Sequence, residues 1–238
     1  MFSASLFAGS GGATAARIEA GLARAQALQI DVGPVPPYGC STPETGYLAG
    51  DDLQRRTSLE AALNSSTQIA WALRGGYGLT RLFPFEGLDF ASATVLGFSD
   101  VTALLAAVHA AGGRAIHGPV LTSLADADAA SVAALGSAWR GQARHWALSG
   151  ASIEREAPVI GGNLEVLTRL IGTSYQPIFA GHIVVLEDVG EPWYRCDRSL
   201  THLLQTTDLA SAAAIVLGQF HQCESDVATR LSARLKAL

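Results

Sequence analysis

The chain has 238 residues, of which 49% are hydrophobic and 16% are charged, and it carries a formal net charge of −5. This length exceeds that of a typical single domain, and the composition is that of a folded α/β protein rather than a disordered chain. A mildly acidic chain without a basic stripe excludes nucleic acid as an expected partner. The three cysteines, Cys40, Cys196 and Cys223, form no C-x-x-C pair. We therefore expect neither a disulfide framework nor a zinc site, and we expect the protein to be in a reducing compartment.

The N-terminal residues do not have the pattern of an export signal. No lysine or arginine precedes Arg17, and a glycine-rich segment at residues 9–12 interrupts the first apolar run. A signal peptide has a basic start and an unbroken apolar region. No later stretch reaches the roughly 18 apolar residues that a membrane span needs. The sequence therefore predicts a cytoplasmic protein that does not associate with membranes.

Strand and helix patterns alternate along the chain, which is typical of a parallel α/β sheet. The N-terminal part has predicted strands at residues 3–8, 68–73, 93–96 and 114–117, and predicted helices at residues 14–29, 52–64, 101–108 and 126–138. A more polar segment follows, so we place a linker at residues 141–157 between domains 1–140 and 158–238. The second domain has predicted helices at residues 163–171, 194–205 and 225–238, and strands at residues 183–186 and 213–217.

A glycine-rich loop, Arg74-Gly75-Gly76-Tyr77-Gly78, follows the predicted strand at residues 68–73. Glycines at the carboxyl end of a parallel strand allow backbone N–H groups to approach a ligand closely. A tight turn that needs positive φ angles explains the same residues equally well. The earlier segment at residues 9–12 has neither G-x-G-x-x-G spacing nor a G-K-[ST] ending, so it does not predict a nucleotide site.

Ser99 stands at a predicted corner between a strand and a helix, in the motif Gly97-Phe98-Ser99-Asp100. A strand that ends at glycine and turns directly into a helix exposes the serine hydroxyl and points free helical N–H groups at a neighbouring oxyanion. The second glycine of the usual G-x-S-x-G pattern is replaced by Val101. Two interpretations therefore stay open: a catalytic nucleophile, or helix capping by Ser99 and Asp100.

Five motifs, taken in order, resemble those of the L,D-carboxypeptidase family of serine peptidases, which also contains the microcin-immunity peptidases. They are Arg74-Gly75-Gly76-Tyr77-Gly78, Gly97-Phe98-Ser99-Asp100, His117-Gly118-Pro119, Gly161-Gly162-Asn163-Leu164 and Leu186-Glu187-Asp188. The resemblance implies a Rossmann-like N-terminal domain, a smaller C-terminal β/α domain and a homodimer. The implied activity removes the terminal D-alanine from cytoplasmic murein tetrapeptides during cell-wall recycling, without a cofactor or a metal.

The resemblance also implies roles for particular residues. The family uses a Ser-Glu-His triad, in which Ser99 would be the nucleophile and Glu187 would orient the histidine. The backbone N–H groups of Gly76 and Asp100 would form the oxyanion hole. From their positions in the sequence, Arg74, Tyr77 and His117 are expected to contact the muropeptide substrate. Arg74 and Arg81, near the glycine loop, are candidates to bind its carboxylates, although a structural salt bridge explains each of them equally well. The alternative for Glu187 and Asp188 is that they begin a solvated turn after the strand.

The catalytic histidine is the main departure from the family pattern. In the family it lies in a Gly-His segment downstream of the Leu-Glu-Asp motif, and this sequence reaches Leu238 without one. His117 and His221 follow strands and could face a cleft, whereas the other histidines are too distant or lie on other faces: His109, His145, His182 and His202. We expect a truncated chain that is nearly inactive alone, with a pseudo-enzyme or completion by another polypeptide as alternatives.

Three other functions remain as competing hypotheses. A non-catalytic muropeptide-binding protein would bind the tetrapeptide without turning it over. A microcin-type hydrolase would cleave a peptidyl-nucleotide, although the sequence offers no clear aromatic sandwich for a nucleobase. A Rossmann nucleotide binder would be stabilised by nucleotide, but the phosphate-binding motif is absent from the sequence.

Overall fold

The computed structural model describes residues 2–40, 46–142 and 156–237. The chain divides into two compact units, Met1–Ala147 and Leu148–Leu238. Most of the linker predicted at residues 141–157 falls outside the described residues, so the domain boundaries stay predictions. Over the described parts of the chain, no helix has the length and apolar character needed to cross a membrane.

The N-terminal unit is built on a five-stranded parallel sheet with the order β2-β1-β3-β4-β5. Its strands are β1 (Phe2–Phe7), β2 (Ile30–Val32), β3 (Ile69–Ala72), β4 (Thr94–Gly97) and β5 (Arg114–His117). Its α-helices are α1 (Ala15–Ala27), α2 (Asp52–Leu63), α3 (Thr102–Ala110), α4 (Leu121–Leu124) and α5 (Ala129–Trp139). The strand order is that of a doubly wound sheet, which confirms the predicted α/β fold class.

Apolar side chains hold the centre of this sheet together. All four residues of β3 are buried, as expected for a parallel strand that is covered on both faces. The Trp71 indole N–H donates to the Pro119 carbonyl at 2.8 Å, and its ring lies edge-on to Trp139 with 5.9 Å between centroids. The core therefore also satisfies the one polar atom that Trp71 brings into it.

The strand order reverses at β1, which has β2 on one side and β3 on the other. In an open α/β sheet, the loops at such a switch point leave a crevice outside the carboxyl ends of the strands. Here the loops that follow β1 and β3 are joined by a hydrogen bond from the Gly11 N–H to the Gly75 carbonyl at 3.2 Å. The predicted glycine loop therefore lies at the edge where such sheets bind ligands.

The C-terminal unit has a smaller, three-stranded parallel sheet with the order β6-β7-β8. Its elements are β6 (Val159–Asn163), α6 (Leu164–Arg169), β7 (Ile183–Val189), α7 (Trp193–Thr206), β8 (Ala214–His221) and α8 (Val227–Lys236). Along β7, Val184, Leu186 and Asp188 are buried on one face, and Glu187 lies on the other. This second sheet confirms the predicted smaller β/α part of the fold.

Two short strands are absent from the sequence-based prediction. One is β2, with only three residues, and the other is β6, which contains Gly161 and Gly162. Paired glycines usually weaken a strand. Here Gly161 has a φ of +142° and lies so close to β7 that a Cβ atom would come within 2.7 Å of the Val185 backbone nitrogen. The glycines therefore serve close backbone packing rather than the start of a helix.

The Gly161→Ala substitution should destabilise the protein by at least about 2 kcal/mol, because the new methyl group collides with β7 and the backbone angle is strained. Gly172→Ala is the matched control, since Gly172 also has a positive φ but nothing within 4 Å of its Cβ position. It should cost only about 1 kcal/mol of backbone strain. Urea denaturation of both variants measures the difference, and equal costs would contradict the packing argument.

Candidate active site

Ser99 lies at a sharp corner between β4 and α3. Phe98 is extended, Ser99 has a φ of +62°, and a 3₁₀ turn at Ser99–Val101 leads into the helix. A Cβ atom on Gly97 would lie 2.7 Å from the Val101 side chain, so glycine is needed where the chain reverses. A serine held in the left-handed region on a strand-to-helix turn is the geometry of a nucleophile elbow.

Asp100 does not cap the helix that follows it. Its side chain is buried, and its Oδ2 atom accepts hydrogen bonds from the Ser10 hydroxyl at 2.6 Å and from the Leu79 N–H at 2.9 Å. Neither the 3₁₀ turn nor α3 has a side-chain cap. Desolvation raises the pKa of Asp100, and these two hydrogen bonds and the charge of Arg55 oppose that rise. The capping interpretation of the motif is therefore wrong for its aspartate.

The glycine loop after β3 packs directly against the elbow. A Cβ atom on Gly75 would lie 3.0 Å from the Ser99 Cβ atom and 3.3 Å from its hydroxyl oxygen. The Gly75 carbonyl accepts the bond from Gly11, and in a trans peptide the next N–H, that of Gly76, points the opposite way. Gly75 was not among the predicted site residues, although the double glycine was the signal for it.

Two backbone N–H groups near Ser99 are able to donate a hydrogen bond to a ligand. Within the described residues, neither the Gly76 N–H nor the Asp100 N–H donates a hydrogen bond to a protein acceptor. Gly76 has a φ of +109°, and the Asp100 N–H belongs to the first turn of the 3₁₀ helix. First-turn N–H groups have no partner within their own helix. The arrangement can therefore supply two donors to an anion.

The three predicted substrate contacts lie at the same edge of the sheet. Tyr77 is half exposed, and its hydroxyl is a hydrogen-bond partner of Arg81. Arg74 holds its guanidinium carbon 5.5 Å from the centroid of the Tyr47 ring. His117 ends β5, and its ring centroid lies 6.3 Å from that of Phe98. Their roles in substrate binding stay predictions.

The His117 imidazole is neutral at pH 7. Desolvation lowers its pKa to about 4, although the residue as a whole keeps exposed surface. The neutral form dominates at pH 7 both at that value and at the ordinary value of about 6.5. His117 therefore adds little positive charge to this edge of the sheet at pH 7.

Glu187 lies near the carboxyl end of β7, the central strand of the second sheet. Leu186 pairs with Leu217 and Asp188 pairs with Phe220, so two residues of β8 oppose Glu187. Such a bulge redirects a side chain and is common beside active sites. Gly218 of β8 lies beside the glutamate, with its Cβ position 3.4 Å from the Glu187 Cβ atom.

The environment of Glu187 favours its protonated form. Desolvation and the charge of Asp188 raise the pKa of Glu187 to about 7, and a hydrogen bond from Asn163 opposes them. Asp188 is buried and accepts bonds from Asn163 Nδ2 at 2.8 Å and from the Glu165 N–H at 3.1 Å. The two carboxyl groups are therefore not in a solvated turn. Asn163, for which the sequence predicts no role, hydrogen-bonds both carboxyl groups.

The described histidines of the N-terminal unit are His109 on α3 and His117 at the end of β5. His109 is ten residues along from Ser99, roughly 15 Å at the helical rise. In the C-terminal unit, His182 contacts the Ala180 carbonyl at the start of β7, and His221 is the last residue of β8. His145 lies outside the described residues.

The described ranges contain no group of three or more histidine, cysteine or acidic side chains that could hold a metal ion. Within the N-terminal unit, the Ser99 corner brings together a hydroxyl at a strained position and two backbone N–H groups that bond no described acceptor. Nucleophilic acyl transfer requires such a hydroxyl and such donors.

The Ser99→Gly substitution should raise the free energy of unfolding by roughly 0.5–1 kcal/mol relative to Ser99→Ala. Glycine removes the strain of the left-handed angle, and its larger chain entropy offsets only part of that gain. Denaturation of both variants by guanidinium chloride measures the difference. Equal stabilities would show that Ser99 is not strained in the folded protein.

Glu187→Gln should make the stability of the protein less dependent on pH. Because the folded pKa is about 7 and the ordinary value is 4.5, the wild type loses stability as the pH rises from about 4.5 to about 7. The loss can reach about 3 kcal/mol at 1.36 kcal/mol per unit. Denaturation between pH 4 and pH 8.5 should find the variant more stable only at the higher pH values. A pH-independent difference would contradict the raised pKa.

Comparison with known proteins places both units in one family. Residues 5–118 match the LD-carboxypeptidase N-terminal domain, and residues 156–237 match the LD-carboxypeptidase C-terminal domain. The murein tetrapeptide carboxypeptidase of Pseudomonas aeruginosa is 40% identical over 206 residues, which cover 74% of this chain and 64% of that protein. A protein of Streptomyces coelicolor named as a carboxypeptidase is 32% identical over 87% of this chain and 71% of its own length.

Solved structures show the same fold. The muramoyltetrapeptide carboxypeptidase of Oxalobacter formigenes superposes with a TM-score of 0.83 at 25% identity, over 99% of this chain and 85% of that one. The structure of MccF in complex with glutamyl sulfamoyl guanosine superposes with a TM-score of 0.81 at 19% identity, over 99% and 84%. The chain spans 64% of the length of the Pseudomonas protein that it matches. With both domain types matched and a 32% identical relative covered over 71% of its length, the chain belongs to the LD-carboxypeptidase family.

Proposed function

We propose that the chain forms part of a serine L,D-carboxypeptidase that releases the terminal D-alanine of murein tetrapeptides. The observation that carries this proposal is the strained Ser99 corner beside the open N–H groups of Gly76 and Asp100. The proposal of substrate rests on the names of the Pseudomonas and Oxalobacter relatives. Both motifs belong to the matched N-terminal domain.

The proposed reaction passes through an acyl-enzyme. The Ser99 oxygen attacks the carbonyl carbon of the bond before D-alanine and gives its proton to a general base. The carbonyl oxygen becomes an oxyanion and receives the N–H groups of Gly76 and Asp100. The base then protonates the leaving amine of D-alanine, and water, activated by the same base, releases the shortened peptide from Ser99.

The general base is proposed to be a histidine outside these 238 residues. No Gly-His segment follows Leu186-Glu187-Asp188 in this sequence, and the chain spans 64% of its Pseudomonas relative. Glu187 would accept the imidazole N–H and stabilise the imidazolium. A cation beside Glu187 lowers the pKa of a carboxyl group, so the value of about 7 would fall when the imidazolium forms.

A longer form, extended through the Gly-His segment typical of the family, should release D-alanine from murein tetrapeptide. The 238-residue chain should be slower by about six decades, as when the base of a serine triad is removed. Ser99→Ala in the longer form should reduce the rate by a similar factor, because the nucleophile and the base act as one unit. Free D-alanine is measured with D-amino acid oxidase, and Ser123→Ala, on α4, is the control serine variant. Release that survives Ser99→Ala would contradict the proposal.

The same assay separates the two alternatives. MccF shares the fold of this chain, so an aminoacyl sulfamoyl nucleoside serves as the competing substrate, and its preferential cleavage would favour a microcin-type hydrolase. A non-catalytic binding protein predicts tetrapeptide binding that survives Ser99→Ala and no turnover in either form. The homodimer and the cytoplasmic location are predictions that gel filtration and cell fractionation can check.

A further inference from the structure

Arg74 differs from the other arginines near the sheet edge in how its charge is used. Arg55 and Arg81 both pair with the carboxylate of Asp52, Arg81 through two bonds of 2.9 Å. Among the described residues, no carboxylate pairs with Arg74. Its guanidinium donates to the Gly12 carbonyl and stacks on the Tyr47 ring. A guanidinium has five N–H donors, so one bond to a carbonyl leaves it able to bind a carboxylate as well.

The position of Arg74 is fixed by three loops that meet there. The Gly12 N–H donates to the Tyr47 carbonyl at 2.9 Å, and the Gly11 N–H donates to Gly75 at 3.2 Å. These bonds tie the loop after β1 and the segment before α2 to the loop after β3. Tyr47 remains half exposed. The guanidinium is therefore held in place at the switch point of the sheet, where such folds bind ligands.

Arg74 belongs to the loop that packs against the Ser99 corner. It directly precedes Gly75, whose Cβ position is 3.3 Å from the Ser99 oxygen. In a peptide cut before its last residue, the terminal carboxylate lies about one residue, roughly 3.8 Å, beyond the scissile bond. Because Arg74 adjoins the loop residue that contacts Ser99, its guanidinium is a candidate partner for that carboxylate. Guanidinium is the side chain best suited to bind a carboxylate through two parallel hydrogen bonds.

We infer that Arg74, supported by the Tyr47 ring, binds the terminal carboxylate of the substrate and so restricts cleavage to the last residue of a peptide. This inference rests on the proposed function and deepens it, because it names the group that distinguishes a carboxypeptidase from an endopeptidase at this site. Tyr47 acts through Arg74 as a positioning residue. The substrate carboxylate would supply the guanidinium with a counter-charge that no described residue provides.

Binding of two peptides to the Ser99→Ala chain tests the inference without turnover. The ligands are murein tetrapeptide with a free terminal carboxylate and the same peptide with a terminal amide, titrated by calorimetry. The free acid should bind about 10- to 100-fold more tightly, the range expected for charge-assisted hydrogen bonds. Arg74→Gln should remove this preference by weakening binding of the acid alone. Arg74→Lys, which keeps the charge but not the fork, should retain part of it.

Arg81→Gln is the matched control, because that cation already has Asp52 as its partner, and it should keep the preference for the acid. Tyr47→Ala should reduce the preference several-fold, whereas Tyr47→Phe, which keeps the ring, should preserve it. Circular dichroism and thermal unfolding establish that each variant is folded. An unchanged preference in Arg74→Gln, or no binding of the acid by the Ser99→Ala chain, would overturn the inference.

The inference and the proposed function can fail separately. If the longer form releases D-alanine and Arg74→Gln leaves the acid-to-amide ratio unchanged, the inference is wrong and the proposed function stands. If Arg74→Gln makes the affinities for the acid and the amide equal and no form releases D-alanine, the carboxylate site is real and the proposed hydrolysis is wrong.

Discussion

A buried carboxylate organises the edge of the N-terminal sheet. Asp100, on the turn after β4, accepts hydrogen bonds from Ser10 in the loop after β1 and from Leu79 in the segment after β3. Arg55, fully buried on α2, bonds the carbonyls of Gly9 and Gly78 in the same two loops. One anion and one cation therefore hold together three loops that leave adjacent strands. Arg55 also pairs with Asp52, and the hydrogen bonds that both side chains make to the loops offset the cost of burying them.

The position of the Ser99 corner follows from this arrangement. With Asp100 anchored beneath it, Ser99 is held at a φ of +62° and Gly75 is packed against it. A strained residue persists only where its surroundings over-determine its conformation. The carbonyl of Gly75 is directed at Gly11, which leaves the Gly76 N–H pointing away from that bond. The structural role of Asp100 is thus separate from the role proposed for its backbone N–H.

In the C-terminal unit, the side-chain amide of Asn163 hydrogen-bonds two neighbouring carboxyl groups, those of Glu187 and Asp188. Asn163, at the end of β6, is the register partner of Glu187 on β7 and donates to Asp188. Asp188 in turn accepts the Glu165 N–H at the start of α6. The Asp188 carboxyl group therefore binds the N-terminus of α6. The Glu187 carboxyl group lies on the opposite face of the strand, and its pKa is raised. Adjacent residues differ in role because a strand alternates its faces.

Much of this could be predicted from the sequence, because glycine and strand-end patterns are local signals. The corner at Ser99, the glycine loop after β3 and the position of Glu187 at a strand end all follow from such patterns. The short strand β6 could not, since its two glycines resemble a turn until β7 packs against them. Tyr47 and the anchoring of Asp100 depend on contacts between loops that are 27 to 90 residues apart in sequence, and no local pattern carries that information.

The most direct measurement of the central claim is a crystal structure of the longer form with a tetrapeptide boronate or phosphonate that traps the tetrahedral intermediate. The account predicts a covalent bond to the Ser99 hydroxyl oxygen, with the oxyanion of the adduct about 2.7–3.1 Å from the nitrogens of both Gly76 and Asp100. An adduct on another residue, or an oxyanion directed away from these two nitrogens, would contradict it.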